Sequence, residues 1–412
     1  MGLNIRYLSS TRQSMQRLGF CKAIILEDVQ SRSGVELTKN LTTLLNFPIR
    51  LSPTEEIIEC LNSMPNGDKI ENEDENDVTT YLQYYYICNH PSRSGWLSRL
   101  GFKEYAEGLP RYLGLLDDSY RLTEIGLVLR NGLLQIEEKT AFQNVSFTTN
   151  PLILSISQKV FFLFTIVSID GDFLIPFVNT LSNKYGSRSF SYLDAGNRTP
   201  DILRTMLQRF TGTGYTKDDR KQIKDIRSAI EKIDNAIGEN LEKLGSGSRR
   251  EQTTIPRLEW LIDLGFIEKF NSPESSRSYI LTEMGHRFAR IFYDEYENLG
   301  KKKFIDEVIA TILDENYYTL IDLVYNNRKK EIDNTNIIRY VLPAYTKLKG
   351  VSGYCAVRPL LLLTNSLRIE ENQPIIDYIE VKNLIEQSYR KNPDNIYYTT
   401  TRDGTDIQLI LN

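Results

Sequence analysis

The chain has 412 residues and a mass of 47.6 kDa, with 41% hydrophobic and 25% charged residues. This composition leaves room for about two to four domains and excludes both a disulfide-stapled miniprotein and wholesale disorder. Fifty basic residues against 54 acidic ones give a net charge of −4, so no global field draws in a polyanion and any nucleic-acid contact must come from a local patch.

The start, MGLNIRYLSSTRQSMQRLGF, lacks the cationic region and apolar core of a signal peptide. Cys21, Cys60, Cys88 and Cys355 form no CxxC pair and fit a reducing compartment, and His90 and His286 lie far apart. The residues offer no zinc-ligand spacing, and a cytoplasmic location follows as the expectation. Ser52-Pro53-Thr54-Glu55 predicts a capped helix through Leu61. Asp68 to Asp77 holds six acids and one lysine and reads as a solvated loop, which leaves the remainder nearly neutral.

An internal similarity follows. Trp96-Leu-Ser-Arg-Leu-Gly-Phe102 matches Trp260-Leu-Ile-Asp-Leu-Gly-Phe266 at five of seven positions, and these are the chain's two tryptophans. Tyr120-Arg-Leu-Thr-Glu-Ile-Gly126 and Tyr279-Ile-Leu-Thr-Glu-Met-Gly285 follow them. One supersecondary unit is used twice. In the first copy, Tyr112-Leu-Gly-Leu-Leu116 before Asp117-Asp118-Ser119 equally suits the end of the helix, with an acidic turn after it.

Residues 150 to 180 read as a helix and turn, with Asp170-Gly171-Asp172 breaking the apolar run. That run, Val160 to Val167, is about half a bilayer span and is bounded by charge, so no membrane partner is expected. Thr199-Pro200-Asp201 caps a helix from Ile202 to Phe210 that presents Arg204, Gln208 and Arg209. From Thr216 to Leu244, Ile223, Ile226, Ile230, Ile233, Ile237, Leu241 and Leu244 make a heptad stripe on one long helix. Such a stripe is either core or a seam for a protein partner or a second copy. Gly245-Ser-Gly-Ser248 is a joint before Arg249-Arg250.

In the second copy Thr254 caps a helix, Pro256 sits in its first turn, Leu258, Leu261 and Ile262 form its apolar face, and Gly265 ends it. Phe266 to Phe270 alternates as a strand, Asn271 to Ser276 is turn chemistry, Ser278 to Leu281 returns, and Thr282 caps a helix carrying Met284, Phe288 and Ile291. Further on come helical stretches at 304–313 and 318–325, Leu360 to Leu363, a break at Glu370 to Pro374, and a helix from Ile375 to Tyr389. A terminal hairpin over Ile396 to Leu411 turns at Asp403-Gly404.

A helix, Leu-Gly-Phe-Ile, an arginine-bearing turn and Tyr-x-Leu-Thr-Glu-x-Gly together resemble the recognition helix, wing and following helix of winged-helix proteins, especially regulators of the multiple-antibiotic-resistance type. The resemblance implies a major-groove helix carrying Arg257 and a wing carrying Arg277. Arg204, Arg249, Arg250 and Thr253 join these as candidate DNA contacts, with Ser246, Ser248, Gln252 and Thr254 as neutral partners. The fold class expected is mainly α with small β-hairpins: tandem winged-helix modules and a long central helix. The divisions are 1–77, 78–149, 150–299 and 300–412, the last a third winged-helix-like module.

No catalytic elbow and no phosphate-binding loop are present in the sequence, and no cofactor is implied. The tandem arrangement resembles the DNA-recognition regions of type IIS restriction endonucleases. That implies a duplex-DNA-recognition subunit of a restriction-like or antiphage system, with cleavage supplied by another chain. One alternative is a winged-helix interaction or assembly subunit. The other is a metal-dependent nuclease using Asp377, Glu380 and Lys382, although that acid-x-lysine pattern normally lies on a strand and here falls on a helix.

Overall fold

Helices carry most of the computed structural model, which describes residues 18–26, 109–117, 119, 121–134, 153–199, 201–202, 224, 228, 231, 249–272, 275–300, 305–325, 337–350, 353–391, 396–400 and 407–411. In chain order the elements begin with α1 (Gly19–Leu26), α2 (Leu109–Tyr112) and α3 (Glu124–Leu127), which widens into a π-helical turn over Val128–Leu133. Next come α4 (Ile156–Tyr185), β1 (Phe190–Ser191), α5 (Tyr192–Gly196), α6 (Arg249–Asp263), β2 (Ile267–Ser272), β3 (Ser275–Leu281) and α7 (Glu283–Gly300). Then follow α8 (Ile305–Thr311), a π-helical turn at Ile312–Asn316, α9 (Tyr317–Tyr325), α10 (Ile337–Leu348), β4 (Cys355–Ala356), α11 (Val357–Glu370), α12 (Tyr378–Lys391), β5 (Ile396–Thr400) and β6 (Ile407–Leu411). The class is mainly α with small antiparallel sheets, as the sequence predicts.

The described residues divide into two units, one lying between 163 and 325 and the other made of those from 18 to 162 and from 337 to 411. The second unit is therefore discontinuous in sequence, which a reading in consecutive blocks does not anticipate.

In α4 burial extends beyond one stripe: Leu163, Ile166, Val167, Leu174 and Phe177 lie on one side, and Phe161, Phe162, Ile175 and Val178, pointing elsewhere around the helix, are buried as well, the pattern of a helix largely enclosed in a core. It is long and apolar enough to cross a membrane, but 83% of its most apolar window is buried in the protein. The break expected at Asp170-Gly171-Asp172 does not occur, because tertiary contacts use each residue. Asp170 takes a buried arginine, a Cβ on Gly171 would stand 2.8 Å from Ile309 Cδ1, and the Asp172 carbonyl accepts from the Tyr296 hydroxyl at 3.4 Å.

Each unit contains a three-stranded sheet of the same order. In the first, β1 precedes α5 and α6, the β2–β3 hairpin follows, and the sheet order is β1-β3-β2. In the second, β4 precedes α11 and α12, the β5–β6 hairpin follows, and the order is β4-β6-β5. In both cases a two-residue leading strand pairs antiparallel with the return strand of the hairpin, Phe190 with Tyr279 and Cys355 with Leu409.

The repeated Leu-Thr-Glu-x-Gly forms a clasp. Thr282 Oγ1 donates to the Gly265 carbonyl at 2.8 Å and accepts from the Gly285 N–H at 3.0 Å; Thr123 Oγ1 does the same with Gly114 (2.7 Å) and Gly126 (3.0 Å). Gly265 and Gly114 both have positive φ, 80° and 71°, as a helix end in the left-handed region requires. A Cβ on Gly285 would lie 2.0 Å from the Phe266 carbonyl oxygen, and one on Gly126 2.2 Å from that of Leu115. This settles the open choice in the first copy: the helix ends at Tyr112-Leu-Gly, and the turn after it is held by Asp117, whose Oδ1 accepts the N–H groups of Ser119 and Arg121.

Of the expected helix from Thr216 to Leu244, Lys224, Ser228 and Glu231 are helical and exposed; the stripe of Ile223, Ile226 and Ile230 is not among the described residues. Nor are the Ser52 capping box, the acidic loop, Trp96 to Phe102, Arg204 and Asp403-Gly404.

Candidate nucleic-acid interface

The sequence places Arg257 on the outward face of a helix beginning near Thr254. The structure corrects this. Helix α6 begins at Arg249, so Pro256 lies in its interior, and every residue from Thr254 to Leu261 is buried. Arg257 has no exposed surface: its Nε donates to Asp170 Oδ2 at 2.6 Å, its Nη2 to Oδ1 at 2.7 Å, and its guanidinium stacks over the Phe173 ring at 4.7 Å. The apolar set Leu258, Leu261 and Ile262 marks one face of α6, but Ile255 and Trp260 are buried as well, leaving this stretch no face to lay into a groove. Arg249 and Arg250 open α6, Thr253 lies in its second turn, and Arg277 is on β3, close to where Ser272 pairs with Ser275.

The equivalent helix of the second unit is α12, and its surroundings differ. Its start is capped by Asp377, whose Oδ1 accepts the Ile379 N–H at 2.8 Å and whose carbonyl accepts that of Val381 at 3.1 Å. The carboxylate expected to hold a nuclease metal therefore starts a helix. Among the described residues no three His, Cys, Asp or Glu side chains are grouped to hold a metal ion.

The link into α12 is fixed from α11. The fully buried Asn365 carboxamide donates to the Ile376 carbonyl at 2.7 Å and accepts the Ile376 N–H at 2.8 Å, serving as a strand-like partner for one backbone residue. Arg368 lies over the Tyr340 ring at 4.6 Å and donates to the Pro374 carbonyl. Burial lowers the Arg368 pKa from the ordinary arginine value, opposed by Tyr340 and Glu371.

Held in this way, α12 buries Val381 and Ile385 and exposes Ile379, Lys382, Asn383, Gln387 and Arg390. These five positions share one arc of the helix at 100° per residue, opposite the buried pair. Among the described residues none of Lys382, Asn383, Gln387 and Arg390 has a side-chain hydrogen bond or ion pair. Cations with two neutral carboxamides are the chemistry of phosphate and base-edge contact. Sequence reasoning found the helix and the hairpin after it but passed over this face; the equivalence of α12 to α6 was the signal available. Comparison with family models, with curated proteins and with solved structures returns no match.

Proposed function

We propose that this chain binds duplex DNA as a tandem winged-helix protein, with α12 of the second unit, rather than Arg257 on α6, entering the major groove. The observation that carries the reading is the exposed arc of Lys382, Asn383, Gln387 and Arg390 on the last helix before a hairpin. A leading strand beside the return strand of a hairpin, with a helix running directly into that hairpin, supports the winged-helix resemblance in both units. A groove about 12 Å wide admits one helix with a free face. From sequence, Lys382 and Arg390 share this arc with Glu386 by helical period, so the contact is weakly cationic, and its strength should depend on salt. Arg249, Arg250, Thr253 and Arg277 stay in the proposal as phosphate contacts of the first unit. The restriction-like setting belongs to the same proposal, with any cleavage made by another chain.

The test is a salt series on duplex DNA with the full chain. Each phosphate contact contributes about one unit to the slope of log affinity against log salt. Lys382→Ala and Arg390→Ala should each flatten the slope by about that amount, while Arg290→Ala, on the exposed side of α7, should leave it unchanged. Binding without a salt slope, or none at all, would return the chain to the interaction-subunit alternative.

A further inference from the structure

We infer that α12 reads adenine, through the carboxamides of Asn383 and Gln387. The inference rests on the DNA-binding reading of the same helix and adds what that helix recognises.

Ile379, Asn383 and Gln387 stand at i, i+4 and i+8, one ridge along the exposed arc, and Ile379 is 44% exposed despite being a large apolar side chain. In the major groove adenine alone presents an N7 acceptor beside an N6 donor, and a carboxamide, with its NH2 and C=O side by side, matches both at once. Guanine offers two acceptors there and suits an arginine or lysine; cytosine offers a lone donor. Neither carboxamide is engaged by a described residue, and each carries a donor and an acceptor suited to a base edge. At about 1.5 Å rise per residue the two lie about 6 Å apart along the helix, near the length of two base steps. The exposed Ile379 supplies an apolar surface at the N-terminal end of the ridge, suited to the C5 methyl of a thymine. Lys382 at one edge of the arc and Arg390 in the last turn are placed for the phosphates on either side.

A merely solvated face would expose the same two carboxamides, and the N7 atom of adenine separates the possibilities. The full chain is used to select bound duplexes from a random pool. Its affinity is then measured for a selected duplex and for the same duplex with 7-deazaadenine, which replaces the N7 acceptor by C–H and leaves base pairing and charge intact. Adenine should be enriched, and 7-deazaadenine should weaken wild-type binding about tenfold or more. Asn383→Ala and Gln387→Ala should each bind less tightly and respond less to the deaza substitution. Their salt slope should stay at the wild-type value, because neither side chain is charged. A steep salt slope with no adenine enrichment, or with no response to 7-deazaadenine, overturns the adenine reading and leaves DNA binding standing. Enrichment of guanine instead would transfer base reading to Lys382 or Arg390 and also overturn it. Absence of any DNA binding by the wild-type chain removes both readings together.

Discussion

A guanidinium with no exposed surface is stable only while its counter-charge is in place. Arg257 and Asp170 form two short hydrogen bonds beneath the Phe173 ring, and removing either partner strands the other charge in the core. Arg257→Ala or Asp170→Leu should each cost about 3–5 kcal/mol, whereas the paired change Arg257→Met with Asp170→Leu should recover much of that. Denaturant midpoints measure this, and a wild-type midpoint for Arg257→Ala would contradict the burial. Under the proposed DNA-binding reading the paired variant should also keep the wild-type salt slope, since Arg257 has no exposed surface. Tyr317, which is buried, and Tyr325, whose hydroxyl is buried, set a second residue-scale expectation. Desolvation raises the pKa of Tyr325, and that of Tyr317 well above the ordinary value of 10.0, with neighbouring tyrosines adding to the second. The folded state holds both protonated while the unfolded chain ionises near pH 10. Their contribution to stability is thus complete below that pH and is lost as pH rises toward the folded-state values. The Tyr325 hydroxyl is buried without a hydrogen-bond partner among the described residues, so Tyr325→Phe should cost little or stabilise. It should also move alkaline unfolding, followed by tyrosinate absorbance, to higher pH. A large loss of stability in Tyr325→Phe would show that the hydroxyl has a partner.

At the scale of elements, the most informative piece is the clasp that joins the end of one helix to the start of the next. Threonine ties a left-handed glycine to the new helix, and the second glycine lets that helix rest against a carbonyl of the residue just past the turn. Gly285→Ala puts a methyl group within bonding range of the Phe266 oxygen and should cost about 1–3 kcal/mol through backbone shifts. Thr282→Ala removes the cap and the hydrogen bond to the Gly265 carbonyl but introduces no clash, at about 1 kcal/mol. Thermal unfolding of the two variants should rank them in that order, and an unperturbed Gly285→Ala would show that the close approach is not maintained. The same motif explains why the repeat is visible in sequence. It is conformational rather than ligand-directed, so finding it twice identifies two helix junctions and says nothing of what either one binds.

At the scale of the whole molecule, two copies of one topology present their last helices differently. In the first unit α6 is enclosed from Thr254 to Leu261, while in the second α12 keeps a free arc. Lys382 and Arg390 are eight residues apart, about 12 Å along the helix, far enough for their effects to add. The double variant should therefore flatten the salt slope by about two units, and a double effect no larger than either single one would mean the two side chains share a single phosphate.

Local chemistry in the sequence was enough to determine the helix stop at Gly265, the cap at Thr282, the β2–β3 and β5–β6 hairpins, and the mainly α class. Each depends on residues within a few positions of one another, through a φ that only glycine adopts easily or a side chain that reaches its own backbone. The continuity of α4 through Asp170-Gly171-Asp172, the burial of Arg257 and the exposure of α12 were decided by tertiary structure. A periodic pattern shows which face of a helix is apolar, but not whether a second neighbour covers the other face. In α6 the polar side was enclosed because a carboxylate 87 residues away in sequence supplied the charge that makes burial tolerable. In α12 no such partner arrives from the described residues, and Lys382, Asn383, Gln387 and Arg390 stay exposed.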